Sequence, residues 1–486
     1  MKFDFMQACF VDQTVDRERD AIIGSDQILT WAQLEEESDI WIRKAREHGA
    51  QRDVPLVILG HKQASFIVAI TGCLRLGIPF VPIDTIYPSE RIQRICDISK
   101  STLLFRADQS RFEKLNEIVT PLAEKQLAYM MFTSGSTGEP KGVQIGVESV
   151  VELGSWMRDS FGLGDHPVFM NQAPFSFDLS VYEIVGTLYL GGTCVLNSRE
   201  VISNTEKFYV RIRDHRATVW VSTPSFAYQQ LLSRDFNQKS LPFITTFLFC
   251  GEVLSTGLVK HIRQRFPNSN IINTYGPTEA TVATTSIFID DVILNEYDPL
   301  PVGYQKPGTK IYCDSHTGEL CIVGNNVMRG YINREDLNAT KMFSQDGKRG
   351  FRTGDSGFVD ENGLIFCSGR LDDQIKLHGY RIELSEIDAA LRELPGVLTG
   401  ATIALRKSDG TVVRLISYIV PSAENTKYDD LDLERWKEKL SNVIPNYMIP
   451  SEMIVCEALP MSANDKVDRK ALTEIYAKHN LDMVIS

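Results

Sequence analysis

The sequence predicts an α/β protein: a large N-terminal body of helix-covered sheets that includes a small β-barrel, then a small α+β domain. Three observations predict it. Short apolar runs alternate with helical stretches over residues 54–105 and again over 168–266, the pattern of a parallel sheet covered by helices. From about Pro301 the pattern becomes short alternating segments set off by Gly and Asn turns, which reads as antiparallel β structure, a barrel or meander. Beyond residue 376 a smaller mixture of helices and strands begins. At 486 residues, 43% hydrophobic and 23% charged, the chain is long and apolar enough to bury substantial cores without staples.

In order, residues 54–60 form an apolar run expected to be a buried strand. Residues 64–76 are a helix stopped by Gly77, and 80–83 a second strand. Ile92, Ile95 and Ile98 share a helical face over 89–99, and 103–105 is a third strand. The same alternation predicts strands at 168–173, 218–223 and 243–250 and helices at 180–190 and 258–266. Residues 310–314, 318–323, 358–360 and 364–367 are the antiparallel segments. Ser385 opens a helix with the spacing of a capping box, ended by Pro395-Gly396. Strands at 401–405, 416–420 and 453–456 and a helix at 433–443 complete the small domain.

The polar clusters fall at strand ends, where doubly wound sheets bind ligands. Residues 129–142, Tyr-Met-Met-Phe-Thr-Ser-Gly-Ser-Thr-Gly-Glu-Pro-Lys-Gly, pass from an apolar run into hydroxyls, glycines and one lysine. Such a turn offers successive N–H groups and a point charge to a polyphosphate. It is not the P-loop pattern, because Lys141 lies between Pro140 and Gly142. Asp178, in Phe-Ser-Phe-Asp-Leu-Ser, suits either a helix N-cap or a carboxylate in an apolar pocket, which needs a paired cation. Cys250, before Gly251 and Glu252, reads as a small buried hydrophobe and a pocket wall. Residues 273–282, Asn-Thr-Tyr-Gly-Pro-Thr-Glu-Ala-Thr-Val, combine a flat ring, a turn and a carboxylate.

Net charge is −12 and pI about 5.3, which argues against nucleic acid as a bulk partner. Nine scattered cysteines without Cys-x-x-Cys pairs or zinc spacing read as reduced thiols, pointing to the cytoplasm. The N-terminus lacks a signal pattern. The most apolar stretch, 66–82, is broken by Arg75, Gly72, Gly77 and Pro79, so no membrane insertion is expected.

These motifs together resemble the adenylate-forming enzymes, and specifically the amino-acid adenylation enzymes, over about residues 20 to 475. The resemblance implies that ATP, with Mg²⁺, activates a small amino acid to an aminoacyl adenylate. The acyl group then passes to the phosphopantetheine thiol of a separate carrier protein. It assigns ATP to Thr133, Ser134, Gly135, Ser136, Thr137, Gly138, Lys141, Gly251, Glu252, Asn273, Tyr275, Gly276, Thr278, Asp355, Arg370 and Arg381, and the metal to Glu279. It assigns the amino acid to Asp178, which pairs with the ammonium, and to Leu179, Tyr182, Cys250, Thr274 and Val282. It makes Lys466 the catalytic cation and Asp372 the hinge between residues 1–371 and a mobile lid domain, 372–486. Within the superfamily the stretches at 171–181, 222–227, 247–254, 273–282, 376–381 and 445–450 resemble ligases that load D-alanine onto a carrier protein, where a cysteine matching Cys250 favours a small D-side chain. Two departures stand out: Asp465 where Gly usually precedes the lysine, and Tyr182 in the helix that can line the pocket. The alternatives are an enzyme loading L-Ala, Gly, Ser, Cys or Pro onto a carrier for a natural product and, in another class, a non-catalytic scaffold. Retention of the loop, Glu279 and Lys466 argues against the scaffold.

Overall fold

The computed structural model describes residues 15–115, 122–135, 139–407, 411–422, 433–461 and 467–485, with side chains described to 478. The chain divides into two compact units. One contains Met1–Thr85, Cys96–Phe132 and Gly142–Leu371; the other contains Ile86–Ile95, Thr133–Lys141 and Asp372–Ser486.

The first unit is built on two large sheets. The nine-stranded sheet runs in the order Tyr304–Gln305, Thr285–Phe288, Asn270–Tyr275, Thr246–Phe249, Val219–Ser222, Val168–Asn171, Thr193–Leu196, Asp20–Ile23, Ile28–Thr30. Its strands are parallel from Asn270–Tyr275 through Asp20–Ile23, with antiparallel pairs at both ends. The six-stranded sheet runs Arg111–Lys114, Leu103–Arg106, Leu56–Gly60, Phe80–Asp84, Leu127–Thr133, Lys141–Gly146. Every residue of Leu56–Gly60 and Phe80–Asp84 is buried, which is why these strands read as continuous apolar runs and not as alternation.

The helices follow the same logic. Ala64–Leu76 ends where Gly77 turns left-handed. Leu179–Leu190 is buried at every position. A Cβ on Gly186 would lie 2.2 Å from the Phe169 ring, so only glycine lets this helix close on the strand beneath it.

The C-terminal part of the first unit is a five-stranded antiparallel sheet. It is led by the long strand Lys348–Val359, with Glu319–Val323, Met342–Gln345 and Ile365–Arg370 along it and Lys310–Cys313 outside. No pairing among the described residues closes it into the expected barrel. The segment expected at 358–360 is the end of the long strand, which stops at Val359 and whose two halves take different partners. Thr246–Phe249 likewise starts later than the run at 243 suggests.

The second unit is α+β. The hairpin Gln374–Leu377/Tyr380–Glu383 leads into helix Leu384–Arg392, and strands Val397–Arg406, Val412–Pro421 and Glu452–Val455 form a three-stranded sheet. Ile375, Ile387, Leu391, Leu415, Ile419 and Trp436 fill its core. The helix begins at Leu384 with Glu383 at its N-cap and no side-chain cap hydrogen bond, so the capping box expected at Ser385 is not formed.

Candidate active site

In the first unit, the motif residues gather beyond the carboxyl ends of neighbouring parallel strands. Asp178 follows Val168–Asn171, Cys250 follows Thr246–Phe249, and the 273–282 segment closes Asn270–Tyr275 and continues past it. Asp178 stands at the N-cap of helix Leu179–Leu190, yet its carboxylate makes no capping bond. Its Oδ2 accepts from Thr278 Oγ1 at 2.6 Å. The cap explanation for an aspartate here therefore fails, and the carboxylate is turned toward the 273–282 segment.

One turn along the helix, Tyr182 is fully buried and donates to Thr274 Oγ1 at 3.0 Å; Thr274 in turn donates to the Phe249 carbonyl at 2.8 Å. Burial, with Cys250 nearby, holds the Tyr182 phenol well above its ordinary pKa. Cys250 is buried, and its Sγ lies 3.7 Å from the Val282 carbonyl oxygen. Thr281 and Val282 both have positive φ, 60° and 67°. A β-branched residue rarely accepts that region, so the chain holds strain where it wraps the cysteine. Leu179 is buried beside this group. Asp178, Leu179, Tyr182, Cys250, Thr274 and Val282 thus lie along one hydrogen-bonded and packed set of segments.

Tyr275 donates from its phenol to Asp355 Oδ2 at 2.6 Å, and Arg370 reaches Asp355 Oδ1 at 2.9 Å and the Thr353 carbonyl at 3.0 Å. Burial, then the Asp355 carboxylate, pushes the Tyr275 phenol far up, so it stays protonated. Asp355 lies within the strand Lys348–Val359 and not in a turn. Asn273 donates to the Pro301 carbonyl. Glu279 sits in the short 3-10 turn Thr278–Ala280, fully buried, with one oxygen accepting from Tyr331 at 2.6 Å. Gly276 is pressed against Ala283, and Gly251 is left-handed. Glu252 accepts from the Ser225 N–H in the first turn of helix Pro224–Gln230.

In the second unit the loop 133–141 is held by carboxylates. Ser134 Oγ donates to the Arg381 carbonyl at 2.9 Å and accepts from the Glu383 N–H at 3.1 Å. The Gly135 N–H donates to Glu386 Oε2 at 3.0 Å, and Lys141 Nζ donates to Glu383 Oε1 at 2.9 Å. A Cβ on Gly135 would fall 1.9 Å from the Glu139 carbonyl oxygen, so this bend requires glycine. Gln374 also donates to Glu383, and Arg91, fully buried over the Tyr87 ring, pairs with Glu386. Thr133 Oγ1 is buried with no hydrogen-bond partner among the described residues. Asp372 opens the C-terminal stretch of this unit and accepts from the Gln374 N–H. Ser136, Thr137, Gly138 and Lys466 lie outside the described residues.

Sequence reasoning missed Tyr331, Glu383, Glu386 and Arg91. The acidic residues three apart at 383 and 386 had a signal, an acid pair at a helix start. Tyr331 and Arg91 had none, because their partners are distant in sequence.

Residues 11–332 match the AMP-binding enzyme family, and the chain belongs to that family. Among its relatives are the D-alanine--D-alanyl carrier protein ligases of Bacillus cereus (strain G9842) and Bacillus anthracis. Each is 38% identical over 93% of this chain and 95% of its own. A Vibrio cholerae adenylation domain solved with glycyl-adenosine-5'-phosphate shares the fold at TM-score 0.81 and 20% identity, covering 98% of this chain and 97% of its own. An amide bond synthetase from Marinactinospora thermotolerans does so at 0.80 and 19%, covering 97% and 99%. No described helix is long and apolar enough to cross a membrane.

Proposed function

We propose that this chain is an ATP-dependent ligase that activates a small amino acid, D-alanine first among them, as aminoacyl-AMP and passes it to the phosphopantetheine thiol of a separate carrier protein. The observation that carries the reading is Asp178. It is a carboxylate at the carboxyl end of a parallel sheet, free of helix-capping duty, beside a wall of Tyr182, Cys250 and Val282. A substrate ammonium would pair with a carboxylate in this position. The names of the 38% identical relatives support the same substrate and acceptor.

In this reading the amino acid's carboxylate attacks the α-phosphate of ATP, forming the mixed anhydride and releasing pyrophosphate. Tyr275 presents its ring to adenine, Asn273 meets the base's amino edge, and Asp355 with Arg370 takes the ribose. Thr278, Lys141 and the 133–138 hydroxyls and N–H groups hold phosphate. Lys466 stabilises the charge that builds on the attacked phosphate. Glu279 would hold Mg²⁺, which neutralises phosphate charge when bound. One buried carboxylate suits an ion that arrives with the triphosphate, since Mg²⁺ takes one or two carboxylates plus phosphate oxygens. Asp372 is the pivot of the C-terminal segment, 372–486, which brings up Lys466.

The test is amino-acid-dependent ATP–pyrophosphate exchange across D- and L-forms of small amino acids, with Cys250→Ala beside the wild type. The expected result is a D-alanine preference that falls by about tenfold or more in the variant, as a changed pocket wall of this size allows. A second reading, an L-amino acid or glycine loaded onto a carrier, is favoured by one feature, the buried Tyr182 in the wall. A preference for glycine or an L-form would establish it in place of the first.

A further inference from the structure

Behind the Asp178 segment lies a buried lysine that the proposed chemistry does not use. Lys62 is 1% exposed. Its ammonium donates to Asn171 Oδ1 and to the Ala173 carbonyl, and it stands 4.4 Å from the centroid of the Phe175 ring. Asn171 Nδ2 donates onward to the Ala173 carbonyl, at 3.2 Å, and to Glu183 Oε2. Asn171 and Glu183 are fully buried. The backbone oxygen of Asn171 accepts from Asn197 Nδ2 at 3.0 Å, so the network is anchored in the sheet.

A buried ammonium and carboxylate are costly to desolvate and are seldom kept for stability alone. What this one grips is a single stretch. Asn171 ends the strand, and Ala173 and Phe175 lie within the connection. Asp178 ends that connection, and Glu183 lies five residues beyond Asp178 on the helix that also carries Tyr182. Main-chain and ring contacts therefore converge on one cation, and Asn171 links it to Glu183 on the helix. Phe175 is clamped between Lys62 and the Phe66 ring, whose centroid is 4.7 Å away. The inner turn is closed by the Phe177 N–H on the Pro174 carbonyl at 2.9 Å.

We propose that Lys62 is a positioning residue for the amino-acid substrate: its contacts to Asn171, Ala173 and Phe175 fix the segment that aims Asp178. The inference rests on the reading of Asp178 as the ammonium partner. Lys62 touches no reacting atom. Its removal leaves the nucleotide residues in place and lets the Asp178 segment drift, and a drift of about 1 Å at such a group can cost up to about a hundredfold.

The experiment is ATP–pyrophosphate exchange by the full chain with Lys62→Met and Lys62→Arg, reading KM for the preferred amino acid and KM for ATP separately. Wild type comes first: if no amino acid supports exchange, the functional reading fails, and the inference with it. Given wild-type exchange, Lys62→Met is expected to raise the amino-acid KM at least about tenfold while the ATP KM stays within about twofold. Lys62→Arg, which keeps the charge on a wider head, shows a smaller rise of the same kind. Unchanged amino-acid KM, or equal rises in both constants, overturns the proposal. If Lys62→Met does not fold, Lys62→Arg decides by the same criterion.

Discussion

Lys306 is a charge with little to hold it. It is 2% exposed, its Nζ has no hydrogen-bond partner among the described residues, and the nearest ring, Trp156, is centred 5.8 Å away. Burial draws its pKa down from 10.5 to about 8, with the Glu152 carboxylate opposing. Between those values the unfolded chain binds more protons than the folded one, so stability rises with pH from about 8 to 10.5. Below that window both states are protonated and the full penalty stands. Lys306→Met is expected to stabilise the protein at pH 7 by about 1–3 kcal/mol and to flatten this rise. Urea unfolding at pH 7 and pH 10 measures both; a variant no more stable at pH 7 refutes the account. No signal in the local sequence marks Lys306 as buried, because a lone lysine beside Pro-Gly reads as surface. Asp178 is the opposite case: its apolar neighbours left a cap and a ligand group both open, and in the structure it makes no capping bond and accepts from Thr278 instead.

At the level of the element, the loop 133–141 and the start of helix Leu384–Arg392 act as a matched pair. The loop supplies a lysine and an N–H to two carboxylates at the helix start, and the Ser134 hydroxyl accepts from the Glu383 N–H. On the proposed function a polyphosphate takes the same lysine, so Glu383 would compete with it for Lys141. Glu383→Gln is therefore expected to lower the ATP KM by about three- to tenfold, the equivalent of roughly 1 kcal/mol. Exchange kinetics at fixed amino acid measure this, and an unchanged or raised KM sinks the competition. The same helix shows why boundaries are the weakest part of a sequence reading. Ser385 and Asp388 carry the capping spacing, but Asp388 is drawn to Arg469 and the Thr402 N–H instead. Helix Ala64–Leu76, by contrast, was legible to the residue, because an apolar run and a left-handed glycine are both local signals. The barrel was overread from strand spacing, which cannot reveal that one long strand serves two sets of neighbours.

For the whole molecule, the parallel sheets and the order of the polar clusters were legible because each depends on strand-by-strand apolarity. The joining of 86–95 and 133–141 to the stretch 372–486 was not, because it brings together segments far apart in sequence. The eight cysteines among the described residues are all free thiols, most of them buried. Thermal unfolding is accordingly expected to give the same Tm with and without a reductant, and a lower Tm on reduction would reveal a disulfide. The second unit has a further property: it is assembled from three separated stretches of chain, 86–95, 133–141 and 372–486. On the ribosome the loop that begins at Thr133 emerges more than two hundred residues before Arg381, Glu383 and Glu386, which take its donors. For about half of synthesis Lys141 and the Gly135 N–H are made before their carboxylate partners exist. A nascent chain stalled short of residue 381 would lack the carbonyl of Arg381 and the carboxylates of Glu383 and Glu386 that take the Ser134, Lys141 and Gly135 donors in the finished protein.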